Sequence, residues 1–155
     1  LFDRPSNKGT LGTLIRSCDA LGADCLLLTG HGVDRYDPEV VAASMGSLFS
    51  LPILYLADHD SVQSWIDACR QTDPSLQIIG TTAHKEHPIN ALDLCGPTLL
   101  VIGNEADGIS RRLRMDCTAL ATIPMNAAGA ATSLNVSCAA TVMLYEVWRQ
   151  RNRAR

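Results

Sequence analysis

No apolar run in this 155-residue chain approaches the about 18 residues that a membrane-spanning helix needs, so a transmembrane span is excluded. Basic charge is not in excess either. Thirteen Lys and Arg stand against sixteen Asp and Glu, giving a net charge of −3 and a pI of about 5.7. A domain that grips nucleic acid by charge alone is usually strongly basic, and this balance counts against that mode. Neither G-x-G-x-x-G, a P-loop nor G-x-S-x-G occurs, which weakens the nucleotide-fold and serine-hydrolase readings. The six cysteines, Cys18, Cys25, Cys69, Cys95, Cys117 and Cys138, form no C-x-x-C pair and no zinc-finger spacing with His. They read as buried free thiols in a reducing compartment, hence a cytoplasmic location. The opening Leu-Phe-Asp-Arg-Pro lacks the basic-then-apolar pattern of a signal peptide, and there is no initiator Met. Leu1-Phe2 looks like the end of a strand, so the natural protein is expected to extend upstream.

What is present is a core. Apolar residues make up 46% and charged residues 19%, too apolar for a disordered chain and right for one domain over residues 1–155. Helical and strand patterns alternate. Helices are expected over Thr10–Leu21, Pro38–Met45, Val62–Cys69, Gly108–Met115 and Leu134–Arg151. Strands are expected over Cys25–Thr29, Pro52–Leu56, Leu76–Ile79, Thr98–Ile102 and Ala119–Ile123. The strands are apolar without alternation, which predicts an α/β fold with a parallel sheet flanked by helices on both faces.

In such sheets ligands sit beyond the C-terminal strand ends. Those ends are Gly30-His-Gly32, Gly80-Thr-Thr82, Gly103-Asn-Glu105 and Pro124-Met-Asn126. Three of the four carry Gly, which allows a ligand to approach the backbone. Asn7 to Arg16 puts glycines at a helix start, suited to a phosphate or merely to a strand–helix turn. Arg16, two turns in, reads alone as a solvated face. Glu105 is open to three roles: ligand, base or helix cap. Between Ile123 and Val136, small residues fill a loop where Thr132 or Ser133 would cap the last helix. Asn135 is a poor helix-interior residue unless its amide is used. His84-Lys-Glu-His87 reads as a surface loop rather than a metal site. The last helix is apolar nearly all round, so its second face predicts a homodimer.

Taken in order, these segments resemble the SpoU (TrmH) family of RNA ribose 2′-O-methyltransferases in the SPOUT superfamily. The resemblance rests on Gly12-Thr-Leu-Ile-Arg16 with Asp19-Ala-Leu-Gly22, on Ala43 to Pro52, on Val101-Ile-Gly-Asn-Glu-Ala-Asp-Gly108, and on Ile123-Pro-Met125 with Ser133-Leu-Asn-Val136. It implies a SPOUT fold with a C-terminal trefoil knot. It implies S-adenosylmethionine bounded by Thr81, Gly103, Ile123, Met125, Ser133 and Leu134, with no metal. It implies methyl transfer to a ribose 2′-OH in ribosomal or transfer RNA, with Arg16, Glu105 and Asn135 as catalytic residues. It also implies a homodimer in which Arg16 serves the neighbour's cofactor. A guanidinium keeps its proton, so Arg16 is expected to act as an electrostatic clamp on the hydroxyl and adjacent phosphate rather than as a base. Two positions depart from the pattern. Thr10 stands where the family usually has Asn, and the 126–132 loop is longer than the commonest form. Thr10 and the acidic pI raise the alternative of a catalytically impaired RNA-binding or assembly module on the same fold.

Overall fold

Six strands, all paired in parallel, are present among the described residues, and a short N-terminal segment splices them into one surface. The computed structural model describes residues 1–84 and 86–153. Lys85, within the His84–His87 segment, and Arg155 lie outside them. The strands are β1 (Leu26–Thr29), β2 (Ile53–Leu56), β3 (Gln77–Thr81), β4 (His87–Pro88), β5 (Thr98–Val101) and β6 (Ala119–Thr122). One sheet has the order β1-β2 and the other β4-β6-β3-β5. Phe2 bridges both, pairing in parallel with Leu28 on one side and Ile102 on the other. Its N–H donates to the Leu27 carbonyl at 2.8 Å, and Asp3 N–H donates to the Ile102 carbonyl at 2.8 Å. Every strand therefore ends on the same rim.

The continuous apolar runs have their reason in the two cores. Leu28, Ile79, Leu100 and Ile102 face one cluster, with Leu11, Leu14, Ile15 and Met143. Their chain neighbours Leu27, Ile78, Leu99 and Val101 face the other, with Val62, Ile66 and Leu113. Alternate residues point to opposite faces, and both faces are covered. The edge strands β2 and β4 are the exceptions: Leu54 and Tyr55 of β2 are exposed, as are both residues of β4.

Helices α1 (Lys8–Ala20), α2 (Pro38–Ser44), α3 (His59–Thr72), α4 (Arg111–Asp116) and α5 (Val136–Arg153) fill the connections. Asn7, Asp37 and Asp58 cap α1, α2 and α3 by accepting from Thr10, Glu39 and Ser61 N–H groups. Gly12 permits the α1–α2 crossing, since a Cβ there would lie 2.5 Å from Ala43 Cβ and 2.6 Å from the Val40 carbonyl. Helix bounds differ from expectation, and α3 runs three residues beyond Val62–Cys69 at each end, from His59 to Thr72. The last helix begins at Val136 rather than Leu134, and α4 begins at Arg111 rather than Gly108. The polar residues ahead of each are used in turns. β4 was not expected; its two residues are exposed and carry no apolar signal.

All six thiols are free, but only Cys18 is buried, while Cys95 and Cys138 are exposed. The expectation of buried thiols thus holds for one of the six. Residues adjacent to apolar runs often face outward on a helix or turn. Burial pushes the Cys18 and Cys117 thiols up to about 11, which keeps them protonated and unreactive. No helix among the described residues is long and apolar enough to cross a membrane.

Candidate active site

Beyond the ends of β3, β5 and β6 lies a cavity of about 390 Å³, a size suited to a cofactor. Its wall includes Thr81, Gly103, Ile123, Met125, Ser133 and Leu134, so the six positions expected to bound a cofactor meet in one place. Glu105 also lines it. The first turns of α5 close one side through Val136, Ala139 and Ala140, and Arg114 reaches in from α4.

The β5–α4 turn is built rigidly. Asn104 and Gly108 exchange two backbone hydrogen bonds at 3.0 Å. Asn104 Oδ1 accepts from Ala106 N–H at 2.8 Å and Asp107 N–H at 3.2 Å. A Cβ on Gly103 would lie 2.4 Å from the Gly108 carbonyl carbon and 2.5 Å from Ile109 N. Gly103 is therefore required by the turn folding back on itself. The same holds elsewhere on the rim. A Cβ on Gly32 would lie 2.2 Å from the Pro5 carbonyl oxygen, and one on Gly80 2.7 Å from Cys117 Sγ. These glycines serve close approach of the chain to itself. The expectation that their free space serves a ligand is corrected on this point.

Glu105 presents the most informative polar group. Its Oε2 accepts from Ser6 Oγ at 2.6 Å and Ser6 N–H at 3.2 Å. Its Oε1 is buried without a hydrogen-bond partner. A buried acceptor left unpaired costs about 1–3 kcal/mol, so a donor brought by a ligand would be stabilised there. Asn135 does not line the cavity. Its Oδ1 caps α5, accepting from Ser137 N–H at 2.9 Å and Ser137 Oγ at 2.7 Å. The cap is Asn135, not Thr132 or Ser133, which explains an amide at this position. Arg16 does not line the cavity either. It lies exposed on α1, beside Ser17, whose hydroxyl meets Thr141 Oγ1 of α5 at 2.7 Å. Thr10, the position of the unusual residue, is buried in the first turns of α1.

The N-terminal segment adds residues that sequence reading did not single out. Asp3 is 2% exposed. Its carboxylate accepts from Ser110 N–H at 2.7 Å and Thr29 Oγ1 at 2.9 Å. Arg4 has a left-handed φ of +49° and donates to the Gly108 carbonyl at 3.2 Å and to Asp3. Its own carbonyl accepts from Asn104 Nδ2 at 2.6 Å. With Ser6, this strap ties the Glu105 turn to the sheet. The available signal was Asp-Arg-Pro directly after a strand-like Leu-Phe, at the rim where ligands gather.

The profile of the SpoU rRNA Methylase family matches residues 1–145. The chain belongs to that family. A 23S rRNA (uridine(2479)-2′-O)-methyltransferase of Streptomyces viridochromogenes is 46% identical over 151 residues, 97% of this chain and 52% of that protein. The crystal structure of the SpoU methyltransferase AviRb from the same species, in complex with the cofactor AdoMet, superposes with a TM-score of 0.92 at 45% identity. That match covers 98% of this chain and 59% of the other. An AdoMet-bound rRNA methyltransferase from Sinorhizobium meliloti gives 0.84 at 36% identity, covering 96% and 54%. The chain thus spans about half the length of the SpoU relatives it matches. Its α/β architecture of parallel strands flanked by helices is the one these SpoU structures share.

Proposed function

We propose that this chain is the catalytic domain of an S-adenosylmethionine-dependent RNA ribose 2′-O-methyltransferase, with ribosomal RNA as the favoured substrate class. One observation carries the reading. The cavity at the strand ends is lined by the six residues of the family pattern and by a carboxylate with one oxygen unpartnered. The fit to S-adenosylmethionine is chemical as well as steric. That molecule brings hydroxyl, amine and ammonium donors, and Glu105 Oε1 is an acceptor in need of one. When bound, it supplies a sulfonium methyl group for a ribose 2′-oxygen. Thr81, Gly103, Ile123, Met125, Ser133 and Leu134 would hold it, with the strap of Asp3, Arg4 and Ser6 keeping the Gly103–Gly108 turn in shape. Passage of the chain through the C-terminal trefoil knot, with α5 closing the cavity, belongs to the same proposal.

Arg16 clamps the hydroxyl and its neighbouring phosphate, lowering the cost of the developing oxyanion. Proton loss goes to that phosphate or to water, because a guanidinium keeps its own proton. Asn135 spends Oδ1 on the helix cap, which leaves Nδ2 to orient the substrate. Arg16 is outside the cavity of its own chain, so a second copy is needed to bring one in. A homodimer through α5 meets that need. Cys138, Val142, Tyr145 and Trp148 form an exposed stripe at helical spacing, with the Tyr145 and Trp148 rings stacked at 5.8 Å. The chain's surface of 8570 Å² exceeds by about 1,000 Å² the roughly 7,600 Å² that a monomer of this mass shows. Free thiols in all six positions support a reducing, cytoplasmic compartment.

The test is transfer of a labelled methyl group from S-adenosylmethionine to ribosomal RNA, with the modified ribose mapped. A 2′-O-methyl at one nucleotide is expected, and labelling of transfer RNA alone would shift the substrate class. A chain that binds the cofactor but labels no RNA is the non-catalytic module that Thr10 raised.

A further inference from the structure

Helix α4 carries Arg111, Arg112 and Arg114 in six residues, an unusual density in a chain of net charge −3. Leu113, 5% exposed, anchors the helix in the core beneath β5, and the three arginines face outward. Positions 111 and 114 share one side of the helix, the side from which Arg114 enters the cavity wall. Among the described residues, no ion pair engages Arg111 or Arg112, and Arg114 only approaches Glu86, at 3.9 Å. The nearby acids are occupied elsewhere. Asp116 holds His59 at 2.7 Å, Asp107 lies 3.7 Å from Arg4, and Asp3 is buried. Apolar groups flank the cations: Met115 is 77% exposed, and Met125 and Leu134 are each 39% exposed at the cavity mouth.

A free cluster of guanidinium groups beside exposed apolar side chains matches a partner with phosphates along one edge and flat unpaired bases along the other. We propose that the outward face of α4 is a phosphate track for the single-stranded RNA that flanks the target nucleotide. Arg111 and Arg112 hold successive phosphates. Arg114 marks the point where the strand turns into the cavity. The track gives an acidic domain a local grip on RNA without a basic surface overall. The inference rests on the RNA-methylating reading of the cavity, and calorimetry with S-adenosylmethionine on the unaltered chain tests that reading separately.

The experiment is a salt titration of binding to a fluorescein-labelled oligouridine RNA, followed by fluorescence anisotropy. Single-strand binding loses about 0.7 in the slope of log K against log salt for each phosphate contact removed. The double variant Arg111→Ala/Arg112→Ala is therefore expected to flatten the slope by about 1.4 while S-adenosylmethionine binds as before. Arg111→Lys/Arg112→Lys should keep the wild-type slope, because it keeps the charge. Arg153→Ala, which removes an exposed charge from the far end of α5, should leave the slope unchanged. An unchanged slope in the alanine pair would overturn the track. So would an equal flattening by Arg153→Ala, which would mean bulk charge, or by the lysine pair, which would mean that fold rather than charge had been lost. Failure of the unaltered chain to bind oligouridine at low salt would overturn it too. A chain that takes the cofactor but shows any of these refutes the track and leaves the cavity reading standing.

Discussion

Gly103→Ala probes whether the β5–α4 turn is the cofactor wall. The added methyl would sit 2.4 Å from the Gly108 carbonyl carbon and 2.5 Å from Ile109 N, against an ordinary contact of 3.4 Å or more. Both obstacles are backbone, and neither can rotate aside. The turn must therefore move outward by about 1 Å, a strain of about 1–3 kcal/mol in a packed site. The paired bonds between Asn104 and Gly108 resist that motion, and Glu105 would be carried with the turn. Tm is expected to fall by about 2–4 °C per kcal/mol for a domain of this size. S-adenosylmethionine affinity should fall at least about tenfold, equivalent to 1.4 kcal/mol. Gly96→Ala is the control, since nothing lies within 4 Å of a Cβ there. Calorimetric titration and thermal melting of both variants give the comparison. If Gly103→Ala melts and binds like Gly96→Ala, the turn is not the wall, and the reading of this cavity fails.

Other outcomes follow from the same structure. Asp3→Ala removes the acceptor for Ser110 N–H and Thr29 Oγ1, at about 1–3 kcal/mol for each group left unpaired, and amide exchange at Ser110 should accelerate. Asn135→Ala should cost about 1 kcal/mol by loss of the cap, whereas Asn135→Asp should keep Tm but slow methyl transfer, since it retains Oδ1 and loses Nδ2. Arg16→Ala should lower methyl transfer by more than about tenfold, and activity within that range would remove Arg16 from the centre. Glu146 answers to pH. The hydrogen bonds from Arg149, at 2.6 and 2.7 Å, hold its carboxyl down at about 2 from an ordinary 4.5. Its contribution is complete above about pH 4.5 and is lost as pH falls toward 2. Melting curves should show wild-type Tm dropping across that window, with a shallower drop in Glu146→Gln.

The α/β order and the parallel sheet were legible because they rest on local signals, whereas the wall residues followed from the resemblance of the 101–108, 123–125 and 133–136 segments to the SpoU family. Apolar runs announce strands, and the Asp37-Pro38 cap announces α2. Three features were not legible, each for a long-range reason. Phe2 joins two sheets by pairing with Leu28 and Ile102, contacts invisible to any local window. The Asp3–Ser6 strap meets residues about a hundred positions away. The glycines at the rim looked like openings for a ligand, yet the space beside Gly103 and Gly32 belongs to the chain itself. Asn135 was recognised as misplaced in a helix interior, and its use as the cap emerged only once α5 was seen to begin one residue later. Arg16 matches the family pattern in sequence and yet lies outside its own chain's cavity, and the proposed homodimer would reconcile the two.

The central claim is that the cavity beyond β3, β5 and β6 takes S-adenosylmethionine. Isothermal titration of the 155-residue chain with the cofactor tests it most directly. Saturable binding of one molecule per chain is expected, weakened by Gly103→Ala and untouched by Gly96→Ala. Absence of binding up to millimolar cofactor would contradict it.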